Sequence, residues 1–338
     1  MKISKIKVLA LVLLLVGFSC HVLAQQEGQY TQYMFNRLTY NPAYAGSSGS
    51  ICAQVMYRNS WMGLRLDAPS SGKEAGSAPV NYLFSFDMPI RALHGGIGAI
   101  VSMENVGYRQ NISIDVDYAF RIYWGPGNLA AAVGVNLYNN TIDFSQLVGY
   151  DDLTGDGEAS TSTDPALNSH EKTSAFLVDM SAGLYYQIPG KCYIGLGGKN
   201  LLATKSTTIN YQNARTFYLM GGYEYAIPLN PSFKIKPSAL VKTSNFSVFQ
   251  GEISCLLDYQ NTVWGGVSYR IQDAFAVLAG FNWKKLQIGL SYDFTTSKLG
   301  AFKAGRSKGT IEAYLRYCFK VIIPQRPPSV YRNTRYLL

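Results

Sequence analysis

Residues Ile112 to Trp124 read ISIDVDYAFRIYW. In an extended strand, successive side chains point to opposite faces. Ile112, Ile114, Val116, Tyr118, Phe120, Ile122 and Trp124 therefore share one wholly apolar face. Ser113, Asp115, Asp117, Ala119, Arg121 and Tyr123 share the other, which carries two acids and a base. A period of two sustained this long excludes an amphipathic helix, whose apolar positions recur every three or four residues. The run also exceeds the usual globular strand and covers the roughly 9–11 residues that a tilted strand needs to cross a bilayer.

The same alternation recurs along the chain. Leu286, Ile288, Leu290, Tyr292 and Phe294 oppose Gln287, Gly289, Ser291 and Asp293. Ile311, Ala313, Leu315, Tyr317 and Phe319 oppose Glu312, Tyr314 and Arg316, and Phe176, Val178, Met180, Ala182, Leu184 and Tyr186 oppose Asp179, Ser181 and Gly183. Strand-like runs lie at 51–58, 79–88, 96–104, 111–124, 128–138, 174–187, 191–200, 214–226, 232–243, 246–259, 261–270, 273–283, 284–295 and 309–319. That is about fourteen strands, an even number, as in bacterial outer-membrane barrels. Every second connection is short, and Pro189, Pro228 and Pro231 fall in these short turns, where a missing N–H is harmless. The long stretches 59–78, 139–173, 201–213 and 296–308 all belong to the other set. Short turns at one rim and long loops at the other fit a barrel better than a soluble periplasmic β-sandwich, which also alternates. The expected fold is an all-β, transmembrane, antiparallel outer-membrane β-barrel over residues 51–319, with a short periplasmic segment at 25–50.

The leader agrees with export. Lys2, Lys5 and Lys7 precede the apolar run Val8 to Phe18, and VLA-Q at 22–25 has the small-residue pattern of a cleavage site. Residues 1–24 read as a signal peptide; a lipoprotein signal ending at Cys20 is the rival reading, with a looser match. After the leader no run of 18 apolar residues follows, so no membrane helix is expected, and an exported chain can then span a membrane only as a closed barrel. Residues 320–338 read as a periplasmic tail, because Pro324, Pro327 and Pro328 cannot continue a ladder. The net charge of +9 comes from scattered basic residues with no Lys/Arg run, which argues against nucleic acid as a partner.

Candidate chemistry is sparse. The mature chain holds only His94 and His170, on opposite rims, and no nucleophile elbow or phosphate loop, so no enzyme, cofactor or metal is expected. Within Asp151 to Asp164, residues Asp152, Thr154, Asp156 and Gly157 match half of a calcium loop. Thr163 stands where the closing bidentate glutamate belongs, which leaves a polar loop as the reading. Cys52, Cys192, Cys255 and Cys318 lack zinc or redox spacing; two disulfides are open to an exported chain, but isolated apolar packing is the expectation. Asp115, Asp117, Arg121, Asp179, Glu252, Asp258, Arg270, Asp293, Glu312 and Arg316 point inward and either line a pore or pair across strands. Pairing is the default, because an unpaired charge in a narrow lumen is costly. Trp61, Trp124, Trp264 and Trp283 lie near strand ends, as interfacial girdle residues do.

The stretch QYTQYMFNRLTYNPAYAG, Gln29 to Gly46, fits neither a solvated tail nor a helix. Gln32, Tyr33, Met34, Phe35, Asn36, Asn41, Pro42 and Tyr44, with Trp61 beyond, are the candidate site residues. They form either a plug closing the periplasmic mouth or the dock of a periplasmic partner. The plug is favoured, because aromatic patches this large are usually covered permanently.

The same residues carry a family resemblance. Gln29 to Asn36, then Asn41-Pro42-Ala43-Tyr44-Ala45-Gly46, then Tyr57-Arg58 and Trp61, then GLSYDFTTSKL at 289–299, resemble the PorP/SprF outer-membrane proteins of type IX secretion and gliding systems. The resemblance runs from about residue 29 to 319. The loop RLDAPSSGKEAGSAP is more polar, and the C-terminal tail longer, than that family's pattern. The resemblance implies a non-enzymatic protein of the outer membrane, in contact with its lipids, that assists delivery of secreted cargo proteins to the cell surface. It also implies anchoring of periplasmic secretion components, including a peptidoglycan-binding lipoprotein. The alternative is an outer-membrane transporter for small apolar molecules, against which counts the shortness of the segment before strand one.

Overall fold

The computed structural model describes residues 28–64, 78–143, 172–209, 211–297, 300 and 307–320. The leader, the Asp151–Asp164 loop, His170 and residues 321–338 lie outside them. The strands in chain order are β1 (Ser50–Asn59), β2 (Val80–Ile90), β3 (Gly95–Val106), β4 (Arg109–Trp124), β5 (Gly127–Asp143), β6 (Lys172–Ile188) and β7 (Cys192–Lys199). A two-strand ribbon, β8 (Lys205–Ser206) with β9 (Tyr211–Gln212), projects from one rim. Then follow β10 (Thr216–Tyr223), β11 (Tyr225–Ala226), β12 (Phe233–Ser244), β13 (Val248–Tyr259) and β14 (Val263–Arg270). The last three are β15 (Ala274–Trp283), β16 (Leu286–Thr295) and β17 (Thr310–Lys320).

All but the ribbon belong to one antiparallel sheet of 15 pieces, in which β1 pairs with β17 and β10 pairs with both β7 and β12. Since β10 and β11 are one strand interrupted at Glu224, the sheet is a closed barrel of fourteen strands. Each of the fourteen expected runs becomes one strand. Closure leaves no unpaired edge, which satisfies every strand's backbone inside a membrane. No helix among the described residues is long and apolar enough to cross a bilayer.

The outward face carries the apolar set. Ile114, Val116, Phe120 and Ile122 are exposed, while Asp115, Asp117 and Ala119 between them are buried. The connections 91–94, 125–126, 189–191, 227–232, 260–262 and 284–285 lie at one rim. The strand ends at Asn59 and Val80, Asp143 and Lys172, Lys199 and Thr216, and Thr295 and Thr310 lie at the other. By the usual asymmetry of such barrels the first rim is periplasmic and the second extracellular. Trp124 and Trp283 stand exposed at the periplasmic rim, as girdle residues should. Trp264 does not: it points inward and is only 3% exposed.

Two features depart from expectation. Cys52 and Cys318, directly opposed across the β1–β17 seam, form a disulfide instead of packing singly, while Cys192 and Cys255 are free thiols. The pair is 266 residues apart in sequence, so only ring closure brings it together. The lumen, in addition, holds an apolar core of its own. Met56, Leu83, Ile100, Leu240, Leu256 and Leu278 point inward and pack around Tyr33, Met34, Leu38 and Tyr40 of the opening stretch.

Candidate functional site

Gly28 to Ser47 run through the barrel from one mouth to the other. Gly28 lies against Asn81 and Glu104 at the extracellular end of β2 and β3, and Gly46 lies against Met88 and Gly96 at their periplasmic end. The expected location was the periplasmic mouth alone. The segment instead runs the length of the lumen, because its polar and apolar groups find partners at every depth.

At the outer end, a buried ion cluster receives the segment's backbone. Glu312 accepts hydrogen bonds from the amides of Thr31 and Gln32 at 2.9 and 2.8 Å, and from Arg58 at 2.7 Å. The Thr31 hydroxyl donates to Asp293 at 2.6 Å and accepts from Arg58 and Arg270, both at 2.9 Å. Arg270 also pairs with Glu252, directly opposite on the neighbouring strand, and Glu252 in turn accepts from the Gln29 amide at 2.7 Å. Four of the ten inward charges thus meet here, joined by Arg58. Lys199–Asp115 and Lys236–Asp258 pair elsewhere in the wall, and Arg316 approaches Asp87. Pairing of this kind is what lets charges stay in a dry interior.

The middle of the segment is apolar and is held by shape. Two single 3-10 turns, Arg37–Thr39 and Pro42–Tyr44, compact the chain, with Asn41 capping the second through its side chain. Phe35 packs on Trp264 and Tyr314, Tyr40 on Tyr218, and Tyr44 on Tyr185. Tyr33 is 1% exposed and donates to Ser238, and Asn36 donates to the Met56 sulfur. Burial raises the Tyr33 and Tyr40 phenols above their ordinary range, so both stay neutral. Inward glycines make the room. A Cβ on Gly98 would come within 2.7 Å of Leu38, and one on Gly197 would collide with the Tyr40 carbonyl.

Toward the periplasm, Arg37 donates to the Met34 carbonyl and the Tyr185 hydroxyl and lies 3.7 Å from the centre of the Tyr193 ring. Asn41 donates to the Leu184 carbonyl. Arg121 donates to the carbonyls of Ala45 and Gly46 and to the Ser47 hydroxyl, fixing the exit into β1.

Of the nine candidate residues, Gln32, Tyr33, Met34, Phe35, Asn36, Asn41, Pro42 and Tyr44 are therefore together in the lumen. Trp61 is apart from them, at the extracellular rim beside Thr310. Of the residues that receive the segment, Glu252, Arg270, Asp293 and Glu312 were expected as inward charges paired with one another or lining a pore, not as partners of the segment, and Arg58 and the glycines of β3 and β7 were not expected in that role. A signal for them existed, since Leu83, Ile100, Leu240 and Leu278 put apolar side chains on the inward register, where a water-filled barrel carries polar ones. Among the described residues no group of histidine, cysteine or carboxylate side chains has the arrangement of a metal site.

The family model of "Type IX secretion system membrane protein PorP/SprF" matches residues 22–317. The chain belongs to the PorP/SprF family. This PorP/SprF protein is accordingly a type IX secretion component embedded in the outer membrane. No curated protein sequence matches it. Among solved structures it resembles the Acinetobacter baumannii outer membrane protein Omp33, with 8% identity over 80% of this chain and 99% of that one, at a TM-score of 0.42. A Pseudomonas aeruginosa FadL homologue shares 11% identity over 83% and 92%, at a TM-score of 0.41. The translocator domain of the autotransporter NalP from Neisseria meningitidis shares 12% over 85% and 95%, at 0.38. Likeness at these scores goes no further than general architecture.

Proposed function

We propose that this PorP/SprF protein is a non-enzymatic scaffold of the type IX system. It assists delivery of cargo proteins to the cell surface and anchors periplasmic machinery, including a peptidoglycan-binding lipoprotein, beneath the outer membrane. In this reading residues 1–24 are removed on export, residues 25–50 supply the plug, and the short turns with the tail at 320–338 face the periplasmic partners.

The observation that carries the reading is the blocked lumen. A polypeptide cannot pass where Tyr33, Tyr40 and Leu38 pack against the wall at 1–3% exposure. Help with secretion then comes from surfaces at the two rims, not from conduction. The same packing, with Glu252, Asp293 and Glu312 buried in the interior, speaks against a path for small apolar molecules. Placing the aromatic stretch inside also removes it as an exposed dock. The periplasmic surface left to a partner includes Tyr123 and Leu229, which are 94% and 97% exposed.

The test is deletion of the gene and complementation with the full chain. Loss of cargo from the cell surface, restored by complementation, together with the absence of steady conductance from the purified barrel in planar bilayers, is the expected result. Normal surface delivery in the deletion strain would overturn the secretion role, and a steady open current would overturn the closed scaffold.

A further inference from the structure

Just inside the periplasmic rim the lumen opens beside the plug into a cavity of about 190 Å³. Arg37 of the plug and Lys236, Gln287 and Arg316 of the wall line it with polar groups, while Phe35 and Leu256 give it an apolar side. Its cations reach open space. Arg37 is half-buried, and the side chains of Arg316 and Lys236 are 11% and 28% exposed.

What the cavity lacks is a negative charge. Lys236 pairs with Asp258 at 2.9 Å, and Arg316 approaches Asp87 at 3.9 Å. Arg37 makes no ion pair among the described residues. Its partners are the Met34 carbonyl, the Tyr185 hydroxyl and the faces of the Tyr44 and Tyr193 rings, all of them neutral. The outer end of the plug differs, for there Arg58 and Arg270 each hold a carboxylate at 2.9 Å or less. Arg316 also donates to the Tyr44 hydroxyl at 3.4 Å, and Arg37 lies 5.8 Å from the centre of the same ring. Two guanidiniums thus flank one phenol, and like charges placed together in a partly dry site repel unless an anion joins them.

The way in is electropositive. The six periplasmic connections, 91–94, 125–126, 189–191, 227–232, 260–262 and 284–285, hold three lysines, Lys191, Lys284 and Lys285, and no acid. Glu224, the one acid of the cavity lining, belongs to this rim, where its amide donates to the Lys191 carbonyl at 2.6 Å. A mouth dominated by one sign of charge raises the local concentration of the opposite ion.

A guanidinium fork matches the two oxygens of a carboxylate or of a phosphate. Two features favour the carboxylate. The charge that Arg37 lacks is a single one, whereas a phosphate group carries about 1.5–2 negative charges at neutral pH. The apolar side formed by Phe35 and Leu256 also suits a short hydrocarbon stem, which inorganic phosphate does not have.

We propose that this vestibule binds a monocarboxylate on a short apolar stem, entering from the periplasm, with Arg37 and Arg316 donating to its oxygens. A free small carboxylate and the C-terminus of a polypeptide both offer that group, and the test separates them. The seat is a property of barrel and plug and stands or falls independently of the anchoring role.

The experiment is calorimetric titration of the purified full-length barrel in detergent at constant ionic strength. The probes are butyrate, its neutral isostere butyramide, inorganic phosphate, and N-acetyl-glycyl-alanine as a chain-terminus mimic. Saturable binding of a carboxylate is expected, tighter than that of phosphate, with none for butyramide. A dipeptide acid bound at least tenfold tighter than butyrate assigns the seat to a polypeptide terminus; a smaller difference, or the reverse order, assigns it to a free carboxylate. Arg37→Gln should weaken binding at least tenfold. Arg316→Gln, in the wall instead of the plug, is the second variant, and both are checked for the folded, heat-modifiable band. Absence of saturable carboxylate binding, equal binding of butyramide, phosphate bound as tightly as the carboxylates, or unchanged affinity in the folded variants would each overturn the assignment.

Discussion

Thr31 concentrates the attachment of the plug on one hydroxyl, and Thr31→Val removes that hydroxyl while keeping the side chain's shape. The group is fully buried, donates to Asp293 at 2.6 Å and accepts from Arg58 and Arg270 at 2.9 Å each. Hydrogen bonds to charged partners contribute about 1.5–3 kcal/mol apiece, which for three would set an upper bound of about 5–9 kcal/mol. The real loss is smaller. Arg58 keeps Glu312 at 2.7 Å, Arg270 keeps Glu252 at 2.9 Å, and Asp293 keeps Arg58. What remains is one donor on each guanidinium facing a methyl group, about 1–2 kcal/mol each, or about 2–4 kcal/mol in total. The assay is urea unfolding of the refolded barrel in detergent, followed by heat-modifiable migration on gels. Thr31→Val should lower the unfolding free energy by that amount, and Thr31→Ser, which keeps the oxygen, by less than about 1 kcal/mol. If valine costs under about 0.5 kcal/mol with an unchanged denaturant slope, the hydroxyl is not an anchor and the reasoning fails.

Three further outcomes are expected. Reducing Cys52–Cys318, or Cys52→Ser, releases a restraint between residues 266 apart and should remove up to about 5 kcal/mol by the loop-closure model; an unchanged urea midpoint with both thiols titratable would refute this. Gly197→Val drives a side chain into the Tyr40 carbonyl and should cost at least about 1–3 kcal/mol as overpacking, read as intermittent conductance in planar bilayers where the parent is silent. In intact cells, Gly28→Cys, at the half-buried outer end of the segment, should react with a membrane-impermeant maleimide from outside, whereas Ser48→Cys should react only after the outer membrane is permeabilised; the reverse pattern would invert the threading.

The barrel was legible in the sequence because a period of two, repeated in fourteen runs, leaves little else for an exported chain to do. Each strand's register was equally legible: a slip of one residue would have sent Asp115 and Asp117 into lipid. The depth of the plug was not legible. Tyr33, Phe35 and Tyr44 announced that something aromatic needed cover, but their partners sit on strands far along the chain. Thr31 meets Glu312, which is 281 residues away. The Cys52–Cys318 bond was hidden for the same reason, since no local pattern records which strand closes the ring. Trp264 misled because its place near a strand end is shared by girdle residues, and only the inward register of that strand separates the two. The inward apolar residues and the glycines of β3 and β7 were the available clue, and they make sense only together, as a cavity wall cut to fit a particular insert.

The distribution of the plug's contacts carries a last consequence. Its outer, polar end bonds to β13, β14, β16 and β17, through Glu252, Arg270, Asp293 and Glu312, and to β1 through Arg58. Its inner end bonds to β4 and β6, through Arg121 and the backbone of Leu184. The plug therefore bridges strands made early and strands made late, and its ion cluster straddles the β1–β17 seam that closes the ring. The cluster's charges cannot settle singly in a dry lumen, because an unpaired buried charge is far more costly than a paired one. Seating the plug and closing the seam are in this way coupled: Glu312 reaches Arg58 across the seam, and both reach Thr31 or its amide in the plug. A barrel without its insert would hold three carboxylates and two arginines in need of water, and an insert without its barrel would expose four tyrosines. The two halves of the sequence pattern, the alternating strands and the irregular aromatic opening, thus specify a single folding unit.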